Sequence, residues 1–132
     1  MTNLTISEVT KVSTVQQFTG PAVEAITKGQ RCRFDASTGK IALGNGTTAA
    51  EAARGGIALG SAGIGETVTI LNQGVADVGD ALAALNFGAT VYVSDTDGTF
   101  ADTAGTVSVA AGTVVPGWGN TTADKLLWLH GI

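Results

Sequence analysis

The sequence predicts an all-β fold, a small barrel or sandwich of about nine short strands with one or two very short helices. Short runs of β-branched and aliphatic residues recur roughly every 8–12 residues, and most of them end at a glycine beside Ser, Asp or Asn. Glycine is also abundant, with 19 among 132 residues, which predicts many tight turns. The length predicts one domain, which we place at residues 21–132, after an extended N-terminal arm at residues 1–20.

The stretch from Gly55 to Ile70 is the clearest structural unit of the chain. Residues 57–59 form an apolar run too short for a helix, and residues 67–70 alternate polar and apolar as a half-buried strand does. The glycine-rich turn between them differs from a phosphate-binding loop, because Glu66 follows where that motif needs lysine. We therefore predict a hairpin, in which Gly55 and Gly56 adopt backbone angles that a Cβ would forbid.

The first 20 residues differ from the rest, since glycine appears only at their end. Leu4 and Ile6 alternate with Thr and Ser, whereas Val9, Val12 and Val15 recur at every third position. A spacing of three suits neither a flat strand nor a helix rich in β-branched residues. We interpret this stretch as an extended arm, and the alternative is an ordinary first strand that packs on its own domain.

Several other segments carry strand, turn or helix signals. Residues 30–34 alternate, which places Cys32 and Phe34 on one side and both neighbouring arginines on the other. Aspartate and glycine predict turns at 35–39 and 95–98, and residues 72–74 predict a third turn. Short helical turns are expected at 49–54 after Thr48 and at 81–86 after Asp80. The remaining predicted strands are 23–26, 40–43, 75–78, 90–93, 106–110, 114–118 and 125–129.

Charge and hydropathy exclude two classes of partner. The net charge is −4 and the seven basic residues are scattered, so no basic stripe can follow a nucleic-acid backbone. No apolar run approaches the roughly 20 residues that span a bilayer, which excludes a membrane partner. Charged residues make up 14% of the chain, against about 25% in ordinary domains, which indicates a surface partly covered by another protein.

The sequence nominates no catalytic, cofactor-binding or metal-binding residues, and we expect a protein that is not an enzyme and needs no cofactor. His130 is the only histidine and lacks an evident nucleophile or orienting acid. Cys32 lies on the apolar face of its strand, which predicts a buried structural thiol. Asp95 and Asp97 begin like a calcium loop, but the later positions of that motif do not fit, so we interpret them as turn residues.

Two tryptophans, Trp118 and Trp128, fall in the last two predicted strands. Tryptophan is a frequent anchor of protein interfaces, but a β-barrel core or rim uses it equally well. Both interpretations stay open.

A series of short motifs runs in order along residues 23–129: Lys28-Gly29 before a strand, Asp35 to Gly39, alanine-rich Ala49 to Arg54 leading into Gly56 to Leu59, Gly65-Glu66 before a strand ending at Gly74, Leu85 through Gly88 to Asp95, the Gly98 turn, and Val114 to Trp118 followed by Lys125 to Leu127. This ordered series resembles the small capsid decoration proteins, or cement proteins, of tailed bacteriophages. The resemblance covers most of the chain.

The resemblance implies a structural virion protein that is made in the host cytoplasm and binds the outer surface of a phage capsid. Such proteins commonly assemble as trimers and bridge neighbouring capsomers, so the implied partners are the major capsid protein and further copies of this chain as a homotrimer. The alternative is a head-fibre or tail-associated β module that binds host-surface glycan through Trp118, Trp128 and Tyr92. The residues expected to contact capsid or subunit are Leu4, Ile6, Val9, Val12, Val15, Phe18, Trp118 and Trp128.

Overall fold

The computed structural model describes residues 2–117 and 124–132, and it confirms the all-β prediction. The described residues form nine strands in one curled, half-barrel sheet, together with a single turn of 3-10 helix at Gly79–Leu82. The strands are β1 (Thr10–Pro21), β2 (Arg31–Phe34), β3 (Ile41–Leu43), β4 (Gly55–Ala58), β5 (Thr67–Asp77), β6 (Thr90–Val93), β7 (Phe100–Ala101), β8 (Ala110–Pro116) and β9 (Lys125–His130).

The sheet is organised around β5, which pairs with three other strands. The order of the main path is β3-β2-β4-β5-β9-β8-β6-β7, and every strand pair is antiparallel. Strand β4 pairs with Ile70 and Leu71, and β9 pairs with residues 73–76. Strand β1 pairs with β5 along its whole length, from residue 67 to residue 77. Because a strand has only two edges, β4 and β9 share one edge of β5 and β1 occupies the other.

Two hydrophobic clusters fill the interior, and β4 separates them. Ile57 belongs to the larger cluster, the main core, whereas Ala58 belongs to the smaller one, the second core. Successive side chains of a strand point to opposite faces, so the unbroken apolar run of this strand is buried on both sides. The main core comprises Ile57, Leu71, Ala76, Val78, Leu82, Val91, Val93, Phe100, Ala111, Val114, Leu127 and Leu129, and the second core comprises Ala22, Ile26, Cys32, Ile41, Ala58, Ala62, Val68 and Ile70.

The predicted turn at residues 72–74 is wrong, because β5 runs through it without a break. Gly74 takes a φ of 147°, and the register with β1 shifts on either side of Gln73. The β5 residue left without a partner on β1 is Asn72, which is therefore the bulge, whereas Gly74 pairs with Thr14. The absence of a Cβ on Gly74 allows Ser13 of β1 to approach closely. The strand predicted at 23–26 is also wrong, since only Ile26 within it forms an isolated bridge. Of the predicted strand 106–110, only Ala110 is in a strand, as the first residue of β8.

Neither predicted helix forms as expected. At residues 49–54 the Thr48 hydroxyl accepts a hydrogen bond from the Glu51 N–H at 3.2 Å, but the segment makes only a hydrogen-bonded turn. A helix this short gains too few hydrogen bonds to offset its nucleation cost. In the later segment Asp80 lies inside the 3-10 turn and does not cap it. Asp77 supplies the acceptor there, through a 3.0 Å bond from the Gly79 N–H.

Candidate functional site

Strand β1 is the most exposed long element of the fold. Ten of its twelve residues are solvent-exposed, although ten have partners on β5. No other strand in the described part of the chain pairs with β1, so its outer edge is open. An edge strand of this length presents a row of backbone N–H and C=O groups that a second strand can bind.

The valines of β1 explain the spacing of three that fits neither a strand nor a helix. Val12 and Val15 have no partners on β5, and the register shifts at each of them. Each valine is therefore the extra residue of a β-bulge, which converts a period of two into a period of three. Val15 is 66% exposed, and Phe18 is 39% exposed with its ring packed edge-to-face on Phe34, 5.1 Å between centroids.

Residues 2–9 lie apart from β1 and across the main core. Leu4, Ile6 and Val9 are half-buried and pack against this core. The Leu4 N–H donates to the Phe100 carbonyl oxygen at 2.8 Å, and Asn3 forms a bridge with Ala101. The stretch predicted as an arm thus has an inner part packed on its own domain and an outer part, β1, exposed at the sheet edge.

Trp128 marks a second exposed surface, on the outer face of β9. Its neighbours Leu127 and Leu129 point into the main core, so Trp128 and His130 point away from it. Trp128 is 46% exposed and packs edge-to-face on His130, 5.0 Å between ring centroids. The imidazole Nε2 lies 2.7 Å from the Thr113 hydroxyl, which fixes the ring.

The strand register adds two glutamines to this surface. Gln73 on β5 is opposite His130, and Gln16 on β1 is opposite Gln73, so the three share one face. We call Trp128, His130, Thr113, Gln73 and Gln16 the Trp128 face. The sequence predicted Trp128 but not its neighbours, because neighbours across strands are known only once the strand order is known.

The predicted contact residues therefore divide into separate groups. Val15, Phe18 and Trp128 are exposed, Val12 is half-buried within a bulge, and the remaining described members pack on the main core. Trp118 lies outside the described residues. Tyr92, which the alternative glycan-binding function would use together with the two tryptophans, is half-buried on β6, four sheet positions from β1.

The titratable groups make structural contacts. Cys32 is buried, and removal from water raises the pKa of its thiol to about 12, against the opposing effect of the Arg31 charge. Within the described residues, His130 contacts Thr113 and Trp128 and forms no ion pair with a carboxylate. A histidine and a hydroxyl lack the orienting acid of a catalytic triad.

Asp95 and Asp97 close turns in the described structure. Both Asp95 carboxylate oxygens accept hydrogen bonds from Thr106, one from its N–H and one from its hydroxyl, each at 2.8 Å. Asp97 accepts a 3.1 Å bond from the Asn45 side-chain amide. Over residues 2–117 and 124–132, no three His, Cys, Asp or Glu side chains are grouped so that they could hold a metal ion.

Comparison of the chain with protein families, with curated proteins and with solved structures finds no match. Among the described residues there is no helix of the length and apolar character needed to cross a membrane.

Proposed function

We propose that this protein is a structural virion protein that binds the outer surface of a phage capsid and stabilises the shell by bridging capsomers. Its partners in this proposal are the major capsid protein and two further copies of itself, and it has no catalytic role. The single observation that carries the proposal is the exposed, open edge of β1. The order of sequence motifs along residues 23–129, which resembles capsid decoration proteins, supports it independently.

A capsid protein can contact β1 through its open backbone edge and through two exposed apolar side chains. An extended strand of the partner can add to the open edge and gain backbone hydrogen bonds without a specific sequence. Val15 and Phe18 then supply apolar area beside that edge, and both side chains are exposed in the free chain. Many identical contacts on one particle reinforce each other, because a protein bound at one contact is held near the next.

Binding to capsids tests the proposal. We expect Val15→Asp combined with Phe18→Ser to abolish co-sedimentation with decoration-free heads of the phage that carries the protein. The heads should then rupture at the temperature of undecorated heads. Ile64→Ser is the matched control, because Ile64 is 76% exposed but lies in the loop between β4 and β5. Equal binding by the wild-type chain and the double variant would contradict the role of β1. Absence of the protein from heads purified from the wild-type phage would contradict the function.

A second candidate is a head-fibre or tail-associated module that binds host-surface glycan, and the Trp128 face favours it. A pyranose ring can stack on an exposed indole while neighbouring amides and hydroxyls bind its hydroxyl groups. We expect Trp128→Ala to remove binding on a glycan array if this function is correct. Phe87→Ala is the control, since Phe87 is 43% exposed and lies under the Lys125 ammonium group. An array without any bound glycan would dismiss this candidate.

A further inference from the structure

Residues 2–6, which we call the docking segment, occupy a groove of their own domain. The groove lies between Gly29, which Ile6 approaches, and Phe100, which Leu4 contacts. A cavity lined by residues 3–6, 27–30 and 98–100 remains beside the segment. Leu4 and Ile6 pack against the main core at the floor of the groove. Gly29 approaches so closely that a Cβ there would lie 2.7 Å from the Ile6 side chain. At Gly29 the groove therefore fits the segment closely.

The polar contacts of the docking segment are equally specific. On either side of the Asn3–Ala101 bridge, the Leu4 N–H donates to Phe100 at 2.8 Å and the Asp102 N–H donates to Thr2 at 3.1 Å. The Asn3 side chain accepts a 2.6 Å bond from the Ser94 hydroxyl and donates a 3.0 Å bond to the Thr96 hydroxyl. The segment therefore adds a single β-bridge at the β7 edge and is also held there by its side chains.

The connection from the docking segment to β1 is exposed at residues 7 and 8 and is held by Val9, which packs on the main core. Ser7 and Glu8 are exposed, and in the described structure residues 5–9 make no backbone hydrogen bond outside the strands. On the far side of this connector, β1 is paired to β5 through ten residues. The docking segment and β1 are thus two separately anchored elements joined by a short exposed linker.

We infer that the groove also receives the docking segment of a second copy of this chain, so that neighbouring copies exchange residues 2–6. The occupant is defined by the contacts already described, since exchange reproduces each of them between two chains. Only the path of the connector changes, which is why such swaps cost little free energy. Crowding of copies side by side favours exchange, because it raises the effective concentration of the neighbouring segment. This inference deepens the proposed self-association but needs no capsid, so the two can fail independently.

A cross-link between the two partners of the bridge tests the exchange. Asn3 and Ala101 form a non-hydrogen-bonded antiparallel pair, whose Cα separation of about 4.5 Å suits a disulfide. Asn3→Cys and Ala101→Cys are made in separate chains, each with Cys32→Ala. The two are refolded together and oxidised with diamide.

Exchange predicts a reducible band at twice the 13.1 kDa of one chain, with a disulfide-linked peptide pair from positions 3 and 101 identified by mass spectrometry. A mixture of Ser7→Cys with Ala101→Cys is the matched control and should lack that peptide pair. The double variant in one chain shows that the pair can be oxidised. If a disulfide forms in the chain that carries both cysteines, but no linked peptide pair from positions 3 and 101 forms in the mixture of the two single variants, the inference is overturned.

A second variant needs no cysteine. Deletion of Ser7 and Glu8 removes about 7 Å of connector, so the docking segment can no longer reach its own groove. We expect this variant to fold as a larger assembly by light scattering, with an unfolding midpoint close to that of the wild type. Replacement of the same two residues by glycine keeps the length and should leave the mass unchanged. A folded deletion variant of monomer mass would overturn the inference.

Discussion

Arg31 is a charged side chain held in the interior of the protein by carbonyl groups. It is 1% exposed, and its two terminal nitrogens donate to Ile132 at 2.7 Å and to Ala53 at 3.1 Å. Burial lowers its pKa to about 10, and over the described residues no Asp or Glu side chain forms an ion pair with it. Burial of such a charge is costly unless it is hydrogen-bonded, so these two bonds bind distant parts of the chain to β2.

Cys32, beside Arg31, makes stability depend on pH in the alkaline range. Burial raises its pKa from 9.0 to about 12, so the folded state keeps a proton that the unfolded chain releases. The contribution of the protonated, buried thiol to the free energy of unfolding is fully present below pH 9 and is lost as the pH rises through about 12. Relative to Cys32→Ala, we expect the free energy of unfolding of the wild type to fall by about 1.4 kcal/mol per pH unit in that window.

The measurement is urea denaturation of both proteins at a series of pH values. Groups other than Cys32 titrate in both chains, so their effect cancels in the difference. Parallel stability curves for the wild type and Cys32→Ala would contradict the buried thiol as the cause.

These two residues show what alternation in a sequence can predict. It correctly placed Cys32 and Phe34 on one face, and the Asp35 turn formed as predicted, with a 2.7 Å bond from the Thr38 hydroxyl to Asp35 and Gly39 at a φ of 72°. It also placed Arg31 on the opposite face. It could not show that this face is buried, because Ala53 and Ile132, which cover it, are distant in the sequence.

At the scale of elements, the close approach of β4 to its neighbours depends on Gly55 and Gly56. The sequence predicted both glycines as necessary for unusual backbone angles, but neither has a positive φ. A Cβ on Gly55 would collide with the Cys32 carbonyl of β2, and one on Gly56 with the Leu71 carbonyl of β5. The glycines are required by the neighbouring strands and not by their own conformation.

We therefore expect Gly56→Ala to lower the free energy of unfolding by about 3 kcal/mol, because backbone atoms of β5 must move to admit the methyl group. Gly60→Ala is the matched control, since a Cβ there has no neighbouring atom within 4 Å. Its stability should stay within about 0.5 kcal/mol of the wild type. Chemical denaturation measures both, and equal stability of the two variants would contradict the steric explanation.

Elements with turn signals were easier to predict than elements with bulges. The turn at 95–98 joins β6 to β7, and the Gly55–Ile70 stretch forms an antiparallel pair, as the sequence predicted. The bulges at Val12, Val15 and Asn72 were not predicted, because they arise only when β1 and β5 pair. The local sequence shows the spacing of the valines, but it does not show the pairing with β5 that turns this spacing into bulges.

At the scale of the whole molecule, the docking segment closes one side of the half-barrel. We expect Leu4→Ser combined with Ile6→Ser to lower the free energy of unfolding by about 2–3 kcal/mol, because both side chains cover the main core. Thr5→Ser changes an exposed position between them and should alter stability by less than about 0.5 kcal/mol. Urea denaturation followed by fluorescence measures both, and an unchanged double variant would show that this segment contributes nothing to the core.

The fold class could be predicted from composition and strand spacing, since both are properties of the whole chain. The candidate surfaces could be predicted only in part. Val15, Phe18 and Trp128 are exposed, but Leu4, Ile6 and Val9 belong to the same apolar series and are packed on the core. Apolar character alone does not distinguish an exposed side chain that could bind another protein from one that packs within its own chain.

The pairing of β1 with β5 has a mechanical consequence. A tension applied along the axis of β1 is a shearing load, which all ten residue pairs of the ladder resist together. A pull at right angles would instead peel the strands apart, breaking one pair after another. A tether attached at the start of β1 should therefore withstand far more force lengthwise than sideways.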